Sequence, residues 1–437
     1  MHVHKLTMTG FRGVKLLPLE LHDRLNVFFG TNGSGKSSIL DASAILLSWF
    51  VNRIKHESSS GRLVQETDIR NGEASANLDI TCNFRGNYFS WNLAKTRKGY
   101  SKRDTVSILL STTLVAKQVQ SEISESNGLT NLPLIAYYPV NRAVLDIPLR
   151  IKERHSFDLL SAYSDSLTGG ANFRAFFEWF REREDLENEN RKYAEQPVKP
   201  EGYQFPDRQL EAVRAALMLF MPEFTNLTVR RNPLRMEVEK KGKRLTVNQL
   251  SDGEKCLMAM VGDLARRMAI ANPLRPNPLE GEGIILIDEI DLHLHPKWQR
   301  MIVPKLLEVF PNSQFLISTH SPHVITHVQP ESLFLLKQTN EGIVAEQPSE
   351  SYGKNVDRIL EDLMGLDTTR PDIISTRLHD IYTAIDQAHF DEAQRSIAEM
   401  KSEIGEDPEL NLLYFRGQGK KSYLQSKGDM GNDRERQ

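Results

Sequence analysis

Apolar and polar residues alternate through much of the first hundred positions. Residues 3–8 and 14–21 alternate on either side of a turn, whereas residues 25–29 form a continuous apolar run that ends at a glycine. Alternation predicts half-buried strands, and a short continuous run predicts a strand covered on both faces. Residues 76–94 hold two more alternating runs around a central glycine, which predicts a hairpin. The chain is therefore expected to begin with an antiparallel sheet and one buried strand.

Later segments mix short buried strands with helices. Apolar runs at residues 134–140, 284–287 and 315–318 are bounded by polar residues and suit parallel strands. Apolar residues at intervals of three and four predict helices at residues 37–51, 175–184, 209–220, 254–270, 374–388 and 390–404. This order predicts an α/β fold: a parallel sheet with an N-terminal antiparallel sheet, a short helical insert and a helical C-terminal region.

The same order predicts four regions. These are residues 1–165 and 223–350, the two lobes of the α/β head, residues 166–222, the helical insert, and residues 351–437, the C-terminal region. Residues 185–199 are charged and predict a mobile loop inside the insert. The polar residues 417–437 predict a disordered tail.

Composition excludes some classes of protein. Of 437 residues, 39% are hydrophobic and 26% are charged, and the net charge of -3 argues against a generally basic coat for nucleic acid. The two cysteines, Cys82 and Cys256, have neither zinc-ligand spacing nor a disulfide framework, which favours a reducing cytoplasm. No apolar stretch approaches the roughly 20 residues that span a bilayer. We therefore expect a cytoplasmic protein without a membrane partner.

A glycine-rich segment, residues 30–37, has the P-loop pattern and lies between a predicted strand and a predicted helix. Glycines let backbone N–H groups face phosphates, and the helix N-terminus adds partial positive charge. Lys36 is expected to reach the β- and γ-phosphates of ATP, and Ser37 to bind Mg²⁺. The predicted nucleotide contacts of this segment are Asn32, Gly33, Ser34, Gly35, Lys36, Ser37 and Ser38.

Two carboxylates follow the apolar run at residues 284–287, which makes it the matching Walker B strand. Ligands of open parallel sheets bind at the C-terminal ends of the strands. Asp288 is therefore expected to hold Mg²⁺, directly or through water. Glu289 is expected to act as the general base that polarises the attacking water.

Residues 250–255, at the start of a predicted helix, resemble the ABC signature, with Asp252 in place of the usual second glycine. A hydroxyl residue and a glycine there form a second anion-binding helix terminus. One ATP needs only one such cradle, so Ser251, Gly253 and Glu254 are expected to contact a nucleotide held by another subunit. The chain is therefore predicted to form a homodimer around ATP.

Two more residues complete the set. Asp291 follows Walker B and occupies the position of the D-loop, which runs between the two subunits. His320 ends the strand at residues 315–318, where an imidazole can contact the γ-phosphate. We therefore count His320 with Lys36 and Glu289 among the predicted catalytic residues.

Together these motifs resemble the SMC, RecF and OLD-like branch of ABC ATPases. The turn Phe11-Arg12-Gly13 and the Asp-x-His-Leu-His-Pro run after Walker B are both similar to that branch, and the resemblance implies that Arg12 contacts the nucleotide. Transporter subunits are disfavoured, since their P-loop and signature lie much closer together. The Q-loop position follows Tyr137-Tyr138-Pro139, and either Asn141 or Arg142 is its sensing residue.

Within the branch, the short insert and small helical C-terminus most resemble PtuA, the ATPase of Septu and of some retron anti-phage systems. The resemblance implies higher oligomers and an HNH nuclease partner similar to PtuB. A retron setting would add a reverse transcriptase with its RNA–DNA product. Neither a Toprim cluster nor an HNH zinc arrangement is present in the chain, so the effector is expected on another chain.

Three functions stay open at this point: a defence ATPase that regulates a nuclease, a RecF-like ATPase acting directly on DNA in repair, and a nucleotide-gated scaffold. Glu289 argues against the scaffold, which has no use for a water-activating carboxylate. DNA binding would need a basic groove. The basic runs are Lys95, Arg97, Lys98, Lys102 and Arg103, and then Arg230, Arg231, Arg235, Lys240, Lys241, Lys243 and Arg244.

Overall fold

The structure, a computed structural model, describes residues 1–100, 106–140, 157–200 and 203–434. These residues form two compact units, divided after Ile359. The strands of the described residues are β1 (His2–Phe11), β2 (Val14–Glu20), β3 (Leu25–Phe29), β4 (Ser75–Phe84), β5 (Asn87–Thr96), β6 (Leu134–Tyr138), β7 (Phe224–Arg231), β8 (Leu234–Lys240), β9 (Lys243–Thr246), β10 (Gly283–Ile287), β11 (Ser313–Ser318), β12 (Leu333–Thr339) and β13 (Gly342–Glu346).

The helices of the described residues are α1 (Lys36–Lys55), α2 (Leu110–Glu125), α3 (Phe173–Arg191), α4 (Arg208–Phe220), α5 (Asp252–Ala271), α6 (Pro296–Val309), α7 (Pro322–Ile325), α8 (Val356–Arg358), α9 (Asp372–Asp386), α10 (Phe390–Ile404) and α11 (Pro408–Arg434). Within the part of the chain that the structure describes, none of them is both long enough and apolar enough to cross a bilayer.

The core of the first unit is a mostly parallel sheet with strand order β13-β12-β3-β11-β10-β6. Every residue of β3, β6, β10 and β11 is buried, as expected of apolar strands with both faces covered. β12 is parallel to β3, and β13 pairs antiparallel with β12 at the edge. The predicted α/β fold class is confirmed.

Beside this core lies the antiparallel sheet that the alternating pattern predicts, with order β2-β1-β4-β5. Alternate residues of β4 are buried, and Arg85 and Gly86 make the turn of its hairpin with β5. A second antiparallel sheet, β7-β8-β9, leads directly into the signature segment.

The helical insert packs against the signature helix, α5. A Cβ atom added at Gly262 of α5 would lie 2.9 Å from the Phe176 ring of α3, so the two helices approach closely. The prediction of a mobile loop at residues 185–199 is wrong at its start, because α3 continues to Arg191. Within this stretch Glu187 is buried and binds Arg214 of α4 at 2.9 Å, whereas Asp185 and Glu189 are exposed. A buried ion pair therefore accounts for one of the charges in this segment.

A second buried charge cluster ties α5 to the central sheet. Asp263 accepts hydrogen bonds from Arg266 and Arg267, both at 2.7 Å, and from the Tyr138 hydroxyl of β6 at 3.1 Å. Burial alone would raise the pKa of Asp263, but the two guanidinium groups hold it below its ordinary value. Breaking such a buried pair usually costs about 3–5 kcal/mol. The cluster therefore fixes α5 relative to β6.

In the second unit, α9, α10 and α11 enclose a small apolar core. It consists of Leu378, Ile381, Ile385, Ala393, Ile397, Met400, Leu410 and Leu413. The prediction of a disordered tail from residue 417 is wrong, since α11 is helical to Arg434. Leu410 and Leu413 anchor its first turns, and Lys420 binds Asp386 of α9 at 3.2 Å. Anchoring by neighbouring helices extends a helix that the local pattern does not predict.

Candidate nucleotide-binding site

The P-loop connects β3 to α1 and has a backbone that glycine alone accommodates. Gly30 has φ 145°, and a Cβ atom there would lie 2.4 Å from the Leu336 carbonyl oxygen of β12. Gly35, with φ 96°, directly precedes the first turn of α1. The chain therefore turns sharply from a buried strand into a helix N-terminus, the arrangement that presents backbone N–H groups to a phosphate.

Lys36 lies in the first turn of α1 with its side chain folded back over the loop. Its Nζ donates to the carbonyl oxygens of Gly30 and Thr31 at 3.0 and 2.9 Å. Burial lowers the pKa of Lys36, while the carboxylates of Asp288, Glu289 and Asp291 act in the opposite direction. These charges lie close enough to Lys36 to influence its protonation, so the predicted P-loop and Walker B residues share one site.

The other predicted P-loop residues surround this lysine. Asn32 and Ser37 are exposed, Ser38 is half-buried, and Ser34 is fully buried. Within the described part of the chain, the Ser34 hydroxyl has no hydrogen-bond partner. Buried hydroxyl groups normally have one, so a phosphate oxygen would satisfy it.

The Walker B carboxylates directly follow the last residue of β10. Asp288 is buried, and its backbone N–H donates to the Tyr138 carbonyl at 2.9 Å. Ser318, at the end of β11, donates its hydroxyl hydrogen to the Asp288 carboxylate and accepts the Glu289 N–H at 2.7 Å. Glu289 has φ 47°, a left-handed conformation that few non-glycine residues adopt. One hydroxyl group thus contacts both Walker B residues.

Asp291 connects the D-loop to the strand that carries His320. Its Oδ1 accepts the Thr319 hydroxyl at 2.6 Å and the His320 N–H at 3.3 Å. Burial, and then the charge of Lys36, lower the pKa of His320 despite three nearby carboxylates. At neutral pH the imidazole is therefore uncharged, with one nitrogen able to donate and the other able to accept a hydrogen bond.

Arg12 lies in a network of ion pairs. Its guanidinium binds Asp41 of α1 at 2.5 Å and Asp68 at 2.9 Å, and Arg62 binds the other oxygen of Asp41 at 2.6 Å. Burial alone would lower the pKa of Arg12, but Asp41 and Asp68 raise it above the ordinary value. In this structure the two carboxylates hold the arginine beside the P-loop helix.

The signature segment caps α5. Ser251 is the N-cap, and its hydroxyl accepts a hydrogen bond from the Glu254 N–H at 3.4 Å. In turn, a carboxylate oxygen of Glu254 accepts a hydrogen bond from the Ser251 N–H at 2.9 Å. The other Glu254 oxygen pairs with Lys240 of β8. Glu254, predicted to contact nucleotide, is thus occupied in holding the cap. A Cβ atom at Gly253 would lie 2.3 Å from the His293 carbonyl oxygen, so the signature packs against the D-loop segment.

A cavity of about 470 Å³ opens beside this cap. Its lining includes Ser251, Gly253 and Glu254 together with His293 and Trp298. None of the residues that line it belongs to the P-loop or to Walker B. Within one chain, the signature and the P-loop therefore face different spaces.

Similarity to known proteins agrees with this geometry. Residues 25–326, more than two thirds of the chain, match a family described as "AAA domain, putative AbiEii toxin, Type IV TA system". The chain belongs to this family. The "Retron Ec83 probable ATPase" of Escherichia coli is 30% identical over 94% of this chain and 85% of its own length. The "Retron Vc95 probable ATPase" of Vibrio cholerae is 32% identical over 75% and 72%.

The "Septu protein PtuA" of Bacillus thuringiensis is 36% identical over 24% of this AAA-family chain and 28% of its own length. The predicted resemblance to PtuA and to retron ATPases is thereby confirmed.

No metal-binding cluster of three or more His, Cys, Asp or Glu side chains occurs among the residues that the structure describes. Mg²⁺ typically keeps water and phosphate ligands, so Ser37 and Asp288 with a nucleotide fit such an ion.

Three residues of this AAA-family site were not predicted from sequence. Ser318 and Asp41 act through side-chain contacts between distant segments, which no local pattern reveals. Tyr137 is buried, and burial followed by the charges of Asp288 and Asp41 raises its pKa. The predicted Q-loop residues, Asn141 and Arg142, lie outside the described residues.

The contacts of Ser318 lead to a first prediction. Ser318→Ala should lower the kcat for ATP by about 10- to 100-fold, since groups that orient a metal ligand usually have effects of that size. Mg²⁺ titrations of ATP turnover would show the half-saturating concentration rise in parallel. Ser313→Ala, at the other end of β11 and equally buried, is the matched control. Equal turnover in the two variants would contradict an orienting role for Ser318.

Proposed function

We propose that this chain is an ATPase that binds Mg²⁺ and ATP between two copies of itself and thereby regulates a partner nuclease in anti-phage defence. The observation that carries the proposal is the separation within one chain of two anion-binding helix termini. The P-loop faces Asp288 and His320, whereas Ser251 faces its own cavity. A second copy, turned to face the first, would bring its Ser251 to the first copy's P-loop.

In the proposed reaction, Lys36 exchanges its bonds to loop carbonyls for bonds to the β- and γ-phosphates. Glu289 takes a proton from a water molecule as that water oxygen attacks the γ-phosphorus, and the bond to the β–γ bridging oxygen breaks with its electron pair on ADP. The left-handed backbone of Glu289 and the hydrogen bond from its N–H to Ser318 fix the position from which its side chain extends. Bound Mg²⁺, held by Ser37 and Asp288, would neutralise charge on the phosphates.

His320 and Ser251 complete the surroundings of the γ-phosphate. The uncharged His320 imidazole donates to a phosphate oxygen without competing for the proton that Glu289 accepts. Ser251 of the second copy, with the N-terminus of its α5, stabilises the same phosphate from the opposite side. Hydrolysis and release of phosphate would remove the anion that joins the two copies.

The names of the relatives support the cellular role. Two are retron ATPases and one is a Septu protein, so we infer a nuclease partner, and in a retron setting a reverse transcriptase with its RNA–DNA product. Assembly beyond the dimer belongs to the same inference. Exposed apolar side chains on α11 suit a docked partner: Leu412 is 61% exposed and Phe415 is 70% exposed.

Direct action on DNA in repair is less well supported, because most of the second basic run is paired with carboxylates. Arg230 and Arg235 both bind Glu237, at 3.0 and 2.7 Å, and Arg231 binds Glu184 and Asp185. In the first run, Arg97 donates to three backbone carbonyls, and residues 102 and 103 lie outside the described residues.

A test of catalysis is Glu289→Gln. The amide keeps the shape of the carboxylate but cannot accept the proton, so turnover should fall about 100-fold or more while ATP stays bound. Gel filtration with ATP should then show a longer-lived dimer than in the wild type. Glu341→Gln, at an exposed carboxylate, should behave as the wild type. Unchanged turnover in Glu289→Gln would exclude it as the base.

The composite site is tested by mixing two inactive variants. Lys36→Ala removes the lysine of one site, and Ser251→Arg puts a bulky cation where the other subunit's γ-phosphate docks. In a mixed dimer, one site combines the intact Lys36 of one chain with the intact Ser251 of the other. We therefore expect the mixture to hydrolyse ATP, or at least to trap one nucleotide per dimer, where neither variant alone does.

Circular dichroism and nucleotide-free sizing serve as controls that both variants are folded. If folded variants show neither rescue nor trapping when mixed, Ser251 does not face a neighbouring subunit's nucleotide. The ATPase assignment itself would then still depend on the outcome of Glu289→Gln.

Docking on α11 is tested with Leu412→Ser combined with Phe415→Ser. These changes should abolish co-purification with the proposed partner nuclease, because polar side chains at the centre of an apolar contact remove the burial that stabilises it. ATP turnover should be unchanged. Leu16→Ser combined with Tyr88→Ser changes residues of the first unit that are also mostly exposed, at 59% and 60%, and is the control. If the α11 variant recovers as much nuclease as the control variant, the docking surface lies elsewhere.

A further inference from the structure

A basic groove of about 600 Å³ lies between α6 and α7, outside the residues assigned to ATP. It is lined by Pro296, Lys297, Arg300, Met301, Pro304, Lys305, His323 and His327. The three cations come from α6, the two imidazoles come from α7 and the residues just after it, and no carboxylate is among the lining residues. An anionic ligand therefore fits the groove.

The charge of this groove is available to a ligand. Lys297 and Arg300 are exposed, and among the described residues neither forms an ion pair, whereas Lys305 binds Glu308 at 2.9 Å. Lys297 and Lys305 are eight positions apart on one helix, or about 12 Å along its axis. By contrast, Arg231 and Arg235 of the sequence-predicted basic run are neutralised by carboxylates.

The groove also offers surfaces suited to unpaired bases. Pro296, Met301 and Pro304 give it apolar side chains between the cations, and His323 and His327 contribute planar rings. A duplex keeps the faces of its bases stacked and cannot offer them to such a surface. Proteins that bind single strands combine a positively charged groove with planar or apolar side chains against the bases.

We propose that the α6–α7 groove binds the phosphate backbone of a single-stranded nucleic acid. Lys297 and Arg300 bind successive phosphates, and the imidazoles and apolar side chains contact the bases. Binding of the strand by one chain does not rest on the proposed function, although the groove adjoins the signature cavity, which Lys297 and Met301 also line. Only its effect on the ATP site depends on that function.

That effect follows from Gln299, which lies between the two cations on α6. Its amide donates to the Leu294 carbonyl at 2.9 Å and accepts the Ser321 hydroxyl at 2.8 Å. Ser321 is the N-cap of α7 and directly follows His320. A strand bound across both helices therefore restrains the loops that carry Asp291 and His320.

The experiment measures binding of a fluorescein-labelled oligothymidylate of about 16 nucleotides to the full chain by anisotropy, without ATP and over a range of salt. Arg300→Glu should weaken binding about tenfold and reduce the slope of log K against log salt by about one. Lys243→Glu makes the same charge change in the sequence-predicted run, where Lys243 is exposed, and should stay within about twofold of wild type.

Arg300→Glu should hydrolyse ATP at the wild-type rate when no strand is present, which shows that it is folded. Added strand should change that rate in the wild type but not in the variant. Wild-type affinity in Arg300→Glu, or equal loss in Lys243→Glu, would overturn the proposed location. Stronger binding of a matched duplex, full displacement by polyglutamate, or equal competition by inorganic phosphate would overturn the proposed ligand.

Discussion

Parallel pairing of β3, β11 and β10 is the constraint on which the candidate site depends. Ser318 of β11 lies opposite Phe28 of β3, and Ile317 lies opposite Ile287 of β10. The P-loop, the His320 segment and the Walker B carboxylates therefore leave the sheet at one edge and at nearly one level. The Ser318 hydroxyl then joins two of these segments. Loss of register at any of the three strands would separate groups that are proposed to act on the same phosphate.

The buried cluster at Asp263 adds a second constraint, because Tyr138 belongs to both the cluster and the site. Its hydroxyl binds Asp263 of the signature helix, and its carbonyl accepts the Asp288 N–H. The signature helix and the Walker B strand are therefore positioned against the same strand, β6. The Nε atom of Arg266 has no hydrogen-bond partner in the part of the chain that the structure describes, so the cluster is not fully satisfied.

Sequence reasoning could predict what local pattern and motif encode. The segments that carry Lys36, Asp288 and His320 each follow a strand predicted from a short apolar run, and the structure brings these residues together. It could not predict contacts between distant segments, such as Ser318 with Asp288. Nor could it tell a buried carboxylate on a helix from an exposed one in a solvated loop at Glu187, since both look charged in sequence. The C-terminal part of α11 was not predicted either, because contacts with the neighbouring helices, and not its own sequence pattern, extend it.

Glu254 uses both of its carboxylate oxygens, one for the cap at Ser251 and one for Lys240 of β8. The sheet β7-β8-β9 in turn contacts the insert, since the Val229 N–H donates to Glu184 at 3.1 Å. A displacement of the insert would thus loosen the cap that, in the proposed dimer, serves the opposite subunit's nucleotide. Genetic defects in this sheet would then be non-autonomous: the damaged subunit would keep its own hydrolysis and silence that of its neighbour.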